Sequence, residues 1–593
     1  MTSREVAPVP NPSKHAEGGR LSRGAGADGS ADALGLSRRR FVAALSAAGI
    51  SGGLFPGVLW ARLQDRTTVT PSVIEEAEKV AGLSFSAAER ELMVRRLLVN
   101  RSWMEELREV EIPDGIAPAF EFDPTPRGRT APEGASTLEV AEPATLPDPE
   151  DPTALAYAGI AELGALLRTG AVSSVRLTEL YLDRLRRFGP ELQAVVTLTE
   201  ELALEQARQA DAELAGGRDR GPLHGIPWGA KDLLATRGYP TTWGAAPYRN
   251  QRIDRDATVV GRLAEAGAVL IAKLTLGALA RGDQWYGGQT LNPWNPAEGS
   301  SGSSAGPAAA TSAGLVGFSV GSETVGSIVS PSARCGASGL RPTFGRVSRF
   351  GAMPLVWTMD KIGPICRSAE DCAIVLSAIQ GPDGLDRAVR EVPFVWASDR
   401  GTEGIRVGYL EAAFRAQAGE EENEISVLRS LSALGLGLQP LSFSPGLPVA
   451  AMRLIVSVEA ASFFDTLTRS GADDLLLEQG EVDWPNTFRA GRLIPAVEYV
   501  QASRVRMMLV EALEEAWREV DVVVAPSFAD DIILATNLTG HPSVTVPSGY
   551  RRNGTPTSIT FLGGLWKDAE MLTVAKAYQE ATGHHRRRPP RFS

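Results

Sequence analysis

The sequence predicts an α/β fold: one large domain with a mixed β-sheet core covered by helices on both faces. Three observations predict it. Short apolar runs recur as AVLIA (268–272), IRVGYL (405–410), DVVVAPS (521–527) and SVTVPSG (543–549). Segments of helical spacing alternate with them, as for strands buried on both faces. The 593-residue chain is 43% apolar, enough to bury a large core.

Taken in order, residues 1–36 are polar and rich in Gly, Ala and Ser, a composition that cannot build a core. SRRRFVAALSAAGISGGLFPGVLWA (37–61) follows, in which Arg38 and Arg39 precede Phe41 and a weakly apolar run. This resembles a twin-arginine export signal, so the protein is expected in the periplasm, or held at the membrane through residues 41–60. Gly49, Gly52, Gly53 and Pro56 make that run a poor membrane helix, and an ordinary N-terminal helix with a basic start is the alternative. Residues 1–61 are thus assigned to a signal region and 62–119 to a helical extension, with Leu92, Val94, Leu97 and Leu98 at helical spacing. The Pro- and Glu-rich stretch 120–152 reads as a linker, and 153–593 as the main domain. There, Ile160, Leu163, Leu166 and Leu167 mark one helical face; Leu177, Leu180, Tyr181, Leu185 and Phe188 mark another.

Charge and residue usage exclude several functions. A net charge of −11, with acidic residues spread along the chain, argues against nucleic-acid binding. There are five histidines and three cysteines, and no spacing among them matches a metal site. No metal or cofactor is therefore expected, and a histidine-based triad is disfavoured. Cys366 and Cys372 remain a possible pair in an exported protein.

Lysine is scarce: seven of the 60 basic residues. Where a surface charge suffices this chain uses Arg, so a lysine in apolar sequence is a candidate for losing its proton near neutral pH. Lys231, in HGIPWGAKDLLA, and Lys273, in AVLIAKLTLGALA, qualify; snorkelling or pairing with a carboxylate is the plainer reading of either. The stretch GSSGSSAG (299–306) looks like a flexible linker, but small apolar sequence follows it and a second cluster, GSETVGSIVSPS (321–332), comes next. Two rigid small-residue loops joined by a packed helix would bring serine hydroxyls and backbone donors together.

These motifs resemble the amidase signature family over most of residues 153–580. GIPWGAKD (225–232) resembles the segment bearing the family's catalytic lysine, here Lys231. SGSSAG (301–306) resembles the first serine loop, with Ser303 following a cis peptide, and GSETVGSI (321–328) the nucleophile loop, with Ser327 attacking. The two serines are 24 residues apart, as in the family. The resemblance implies hydrolysis of a small-molecule carboxamide through an acyl-enzyme. Lys231 would be the base and Ser303 the relay, with backbone N–H groups of Thr324, Val325, Gly326 and Ser327 facing the oxyanion. Three positions depart from the pattern: Val325 stands where Gly is usual, Glu323 where Asp is usual, and Val329 where Arg is frequent.

Lys273 is expected to be structural, and His224 and His541 to be loop residues. Trp243, Trp285 and Trp357 belong either to a pocket or to the core. An exported amidohydrolase is the leading reading. A glutaminase component of a tRNA-dependent amidotransferase and a non-catalytic binding protein on the same fold are the alternatives. Oligomeric state is open.

Overall fold

A computed structural model describes residues 69–88, 90, 91, 93, 94, 97, 98, 120–416, 422–529 and 531–593. The arginine pair Arg38–Arg39, the segment 41–60 and Leu92 lie outside the described residues. Contacts divide the chain into two compact units, Met1–Val110 and Glu111–Ser593.

In the first unit, helix α1 (Pro71–Ala81) starts where the Thr70 hydroxyl accepts from Val73 N and ends at Gly82 in the left-handed region. Its buried Glu78 accepts two hydrogen bonds from Arg90, at 2.9 and 2.8 Å. Among the described residues no helix is long and apolar enough to cross a membrane.

The second unit is built on an eleven-stranded sheet. Its strands in chain order are β1 (Val195–Leu198), β2 (Pro227–Lys231), β3 (Val269–Leu274), β4 (Phe318–Glu323), β5 (Ser338–Arg341), β6 (Lys361–Cys366), β7 (Val407–Leu410), β8 (Leu438–Leu441), β9 (Val522–Pro526), β10 (Ser543–Tyr550) and β11 (Pro556–Gly563). They lie side by side as β8-β7-β9-β11-β10-β5-β6-β4-β2-β3-β1. The sheet is mixed: β2 pairs parallel with β3 and β4, whereas β6 runs antiparallel to β4 and β5. The four apolar runs read from the sequence are β3, β7, β9 and β10.

Helices cover both faces because the strands are apolar on both. Along β3, Val269 and Ile271 enter one core with Ala308–Ala310, while Leu270 enters the other with Trp228 and Leu263. Helix α2 (Ser174–Leu192) buries Leu177, Tyr181, Leu185 and Phe188, as its spacing predicts, and is capped by the Ser173 hydroxyl. All eight residues of helix α3 (Ala305–Ser312), AGPAAATS, are buried. Its alanines and glycine let it sit close against the sheet between the two serine loops.

The stretch 120–152, expected as a linker, belongs to the second unit and packs along it. Thr137–Glu139 pairs in parallel with Val395–Ala397, and Leu138 and Val140 pack on the core. The Phe122 ring lies 3.4 Å under the Arg506 guanidinium and 5.3 Å from the Phe344 ring. Pro and Glu dominate the composition there, but a few apolar side chains suffice to anchor the segment. Cys335, Cys366 and Cys372 are buried free thiols, so the pairing of Cys366 with Cys372 is not formed.

Candidate active site

Lys231 ends β2, a strand buried at every position. Its Nζ donates to Ser303 Oγ (2.8 Å), Ser322 Oγ (2.9 Å), Ser304 Oγ (3.0 Å) and Ser322 O (3.2 Å). Three hydroxyls and a carbonyl surround the amine; among the described residues no carboxylate reaches ion-pair distance. Burial pulls its pKa down to about 7, against the opposing fields of Asp360 and Glu323. An amine at that value is half neutral at neutral pH, and its lone pair can take a proton from a hydroxyl.

Lys273 is equally buried and differs in one respect: Asp232 lies 2.8 Å from its Nζ. Thr241 Oγ1 (3.0 Å) and Pro240 O (3.2 Å) complete its shell, a paired structural cation. The structure adds a third buried lysine, Lys361 in β6, which donates to Asn537 O at 3.4 Å. Nothing in DKIGPIC distinguishes it from a surface lysine.

Two loops carry the serines; the first brings Ser303 and Ser304 to Lys231, and Ser327 is tied to that loop through its carbonyl. The first runs from β-like residues 295–299 into α3 and contains the cis peptide Gly302–Ser303. Gly302 is required by close approach, because a Cβ there would sit 1.8 Å from the Gly282 carbonyl oxygen. The second loop links β4 to helix α4 (Val329–Cys335) and carries half-buried Ser327. Ser304 joins the two: its N–H donates to Ser327 O (3.0 Å) and its Oγ to Ser322 O (3.1 Å).

The oxyanion donors expected at 324–327 are arranged as follows. The N–H groups of Val325, Gly326 and Ser327 meet no backbone acceptor among the described residues. The loop's left-handed residue is Gly326, at φ 81°, so Val325 keeps a negative φ and its side chain is tolerated. The Thr324 hydroxyl turns aside to Asp360 Oδ1, 2.5 Å away. Half-buried Asp360 also accepts from Leu355 N and Val356 N, and desolvation raises its pKa.

Glu323, a departure from the family pattern, holds the second serine loop. Its Oε2 accepts from Ile328 N (2.7 Å) and Val329 N (2.9 Å), while Oε1 accepts from Arg341 Nη1 and Asn537 Nδ2, both at 2.8 Å. Burial acts to raise its pKa, but Arg341, the Val329 N–H and the Asn537 amide outweigh this and hold it at about 2. Its sequence neighbourhood does not reveal this role, because Arg341 and Asn537 come from distant segments.

A carboxylate with a depressed pKa stabilises the fold fully above the unfolded value of ~4.3, and that contribution is lost as pH falls through the folded value. For Glu323 the window runs from there down to about 2. Glu323→Gln, which leaves the Arg341 charge buried and unpaired, is expected to destabilise by about 3–5 kcal/mol. Denaturant unfolding at pH 7 measures it; an unchanged midpoint would rule the pairing out as a support of the loop.

His224 and His541 are buried, in a turn and after a helix, and their hydrogen-bond partners lie outside the serine loops: Arg220 N for one and the Thr539 hydroxyl for the other. Burial drives His541 down to about 3, so it stays neutral. Trp243 and Trp285 are core residues, whereas Trp357 lines a cavity of 330 Å3. That cavity reaches the serine loops through Ser322 and Thr324; Ser303 and Ser327 are not part of its wall.

A buried lysine beside two serine loops on this mixed sheet defines a hydrolase of carbon–nitrogen bonds with the amidase-signature fold. The family model Amidase matches residues 176–572, and the chain belongs to that family. It is 33% identical over 477 residues to a component of the glutamyl-tRNA(Gln) amidotransferase of Methylococcus capsulatus, covering 72% of this chain and 98% of that protein. The native peptide amidase of Stenotrophomonas maltophilia superposes with a TM-score of 0.66 at 30% identity, over 74% of this chain and 99% of the other. An amidase family protein of Bacillus anthracis gives 0.66 at 25% identity, over 74% and 93%.

Proposed function

We propose that this protein hydrolyses a small-molecule carboxamide, at a C–N bond other than a peptide bond, through a Ser327 acyl-enzyme. Lys231 is the base and Ser303 the relay. The single observation that carries the reading is the unpaired, fully buried Lys231 amine 2.8 Å from Ser303 Oγ. Neutral Lys231 takes the Ser303 proton as Ser303 takes that of Ser327, whose oxygen adds to the carbonyl carbon. The N–H groups of Val325, Gly326 and Ser327, with Thr324 beginning the loop, face the developing oxyanion; each such donor is worth about 3–4 kcal/mol in comparable acyl transfers. The proton then passes back through Ser303 to the leaving amine, and water releases the acid by the reverse path.

Release of ammonia from primary amides by the purified protein tests this reading, and a covalent serine reagent must block that release. A binding protein without catalysis would release none.

The similarity to an amidotransferase component supports a second reading, a glutaminase within such a complex. Export counts against it, because that role needs cytoplasmic partners. The arginine pair and the run 41–60 support secretion to the periplasm, with membrane retention if the run is kept. Replacing Arg38 and Arg39 by Lys is expected to trap the precursor in the cytoplasm. An unchanged distribution between cytoplasm and envelope on fractionation would refute export.

A further inference from the structure

The 330 Å3 cavity beside the serine loops falls within the ~300–1,000 Å3 of ligand pockets. One wall comes from Phe120, Glu121 and Phe122, which precede the family-matched span 176–572. Met353, Leu355 and Trp357 line the same cavity, and Leu233, Ser322 and Thr324 carry its lining to the serine loops. The strap is clasped at several points: Glu121 pairs with Arg387 (3.0 Å), Asp123 with Arg390 (3.5 Å), and the Phe122 ring lies under Arg506.

The charges of this wall are accounted for. Arg349 is held by both oxygens of Asp386, at 2.7 and 2.8 Å, and by the Trp357 carbonyl. Arg387 is held by Glu121, and Asp360 is engaged by the Thr324 hydroxyl and two backbone N–H groups. Both cations of the cavity wall are therefore engaged by carboxylates, and three acidic residues face two arginines. A substrate carboxylate entering here finds no unneutralised cation and loses its hydration without replacement.

We propose that residues 120–122 are specificity-determining for this enzyme, and that the cavity takes an amide whose flanking group is uncharged and apolar. The proposal rests on the hydrolytic reading above and goes beyond it by naming the substrate class and the segment that selects it. Catalysis needs only the serine loops and Lys231, so the smallest amide does not need the strap. An amide with a ring beside the carbonyl or beside the nitrogen does.

The experiment compares kcat/KM for acetamide, phenylacetamide, acetanilide and glutamine across the full chain and its Phe120→Ala, Phe122→Ala and Phe122→Leu variants. The unmutated enzyme is expected to prefer at least one aryl amide over glutamine by ~100-fold or more. Phe120→Ala and Phe122→Ala should each lower kcat/KM for the preferred aryl amide by ~10-fold or more, mainly through KM, as for lost apolar contacts in a pocket. Acetamide turnover should stay constant, and Phe122→Leu should recover part of the loss. Phe120→Ala keeps the test valid if Phe122→Ala, which removes the ring under Arg506, does not fold. Equal losses on acetamide and the aryl amides, no loss on either, or glutamine turnover matching the aryl amides would overturn the proposal. Absence of turnover on all four, with no serine labelling, would instead refute the hydrolytic reading.

Discussion

Lys231→Arg is expected to lose amide hydrolysis as completely as Lys231→Ala, a fall of about 10^2–10^4-fold for removal of a general base. Arg keeps a positive charge and can donate to the same hydroxyls, but its pKa above ~12 denies it the neutral form. If Lys231 served only as a cation, Lys231→Arg would retain much of the rate. Circular dichroism must show both variants folded. In the unmutated enzyme, the base is protonated below its pKa, so the rate rises with pH through about 7 and levels off above it. Stability carries the same signature. From about 7 up to ~10.4 the unfolded chain binds a proton that the folded chain lacks, so stability rises with pH across that window. Lys231→Met should remove Lys231's share of this rise and leave that of Lys361, whose pKa burial also lowers well below the usual lysine value. Lys273→Arg is the control: it disturbs the buried pair with Asp232 and should lower stability while sparing the pH dependence of the rate. Substantial turnover by Lys231→Arg would overturn the base assignment and leave Ser327 without an identified base.

The second large effect is at the nucleophile. A fluorophosphonate is expected to label one residue, Ser327, and Ser327→Ala to abolish labelling and lower hydrolysis on the order of 10^4-fold or more. Ser303→Ala should slow labelling without moving it, since the relay assists attack but does not form the bond. Mass spectrometry that finds the label elsewhere, with Ser327→Ala still active, would sink the assignment.

Much of this site is legible in the sequence because its motifs are local. The packed small-residue helix α3 and the two small-residue loops it joins follow from neighbouring residues, and the segment of Lys231 from its resemblance to a family motif. So do the apolar runs that became β3, β7, β9 and β10. What composition concealed is equally specific. Residues 120–152 look like a linker by their Pro and Glu content, yet three consecutive residues of that stretch line the cavity, because a strap needs only a few anchors. Glu323 looks like a conservative exchange for Asp, yet it organises four donors contributed by three separate segments.

Periodicity, small-residue loops and lysine scarcity are written along the chain and suffice for the fold class and the two candidate lysines, and the resemblance of three local motifs supplies the family. Which of the two is the base depends on packing in three dimensions. Lys231 and Asp232 are adjacent and would read as a natural ion pair, but successive residues at a strand end point to opposite sides. Asp232 turns to Lys273 on the neighbouring strand and leaves Lys231 among hydroxyls. Lys273 has a carboxylate 2.8 Å from its amine; Lys231, with none at ion-pair distance among the described residues, is pulled down to about 7 by burial.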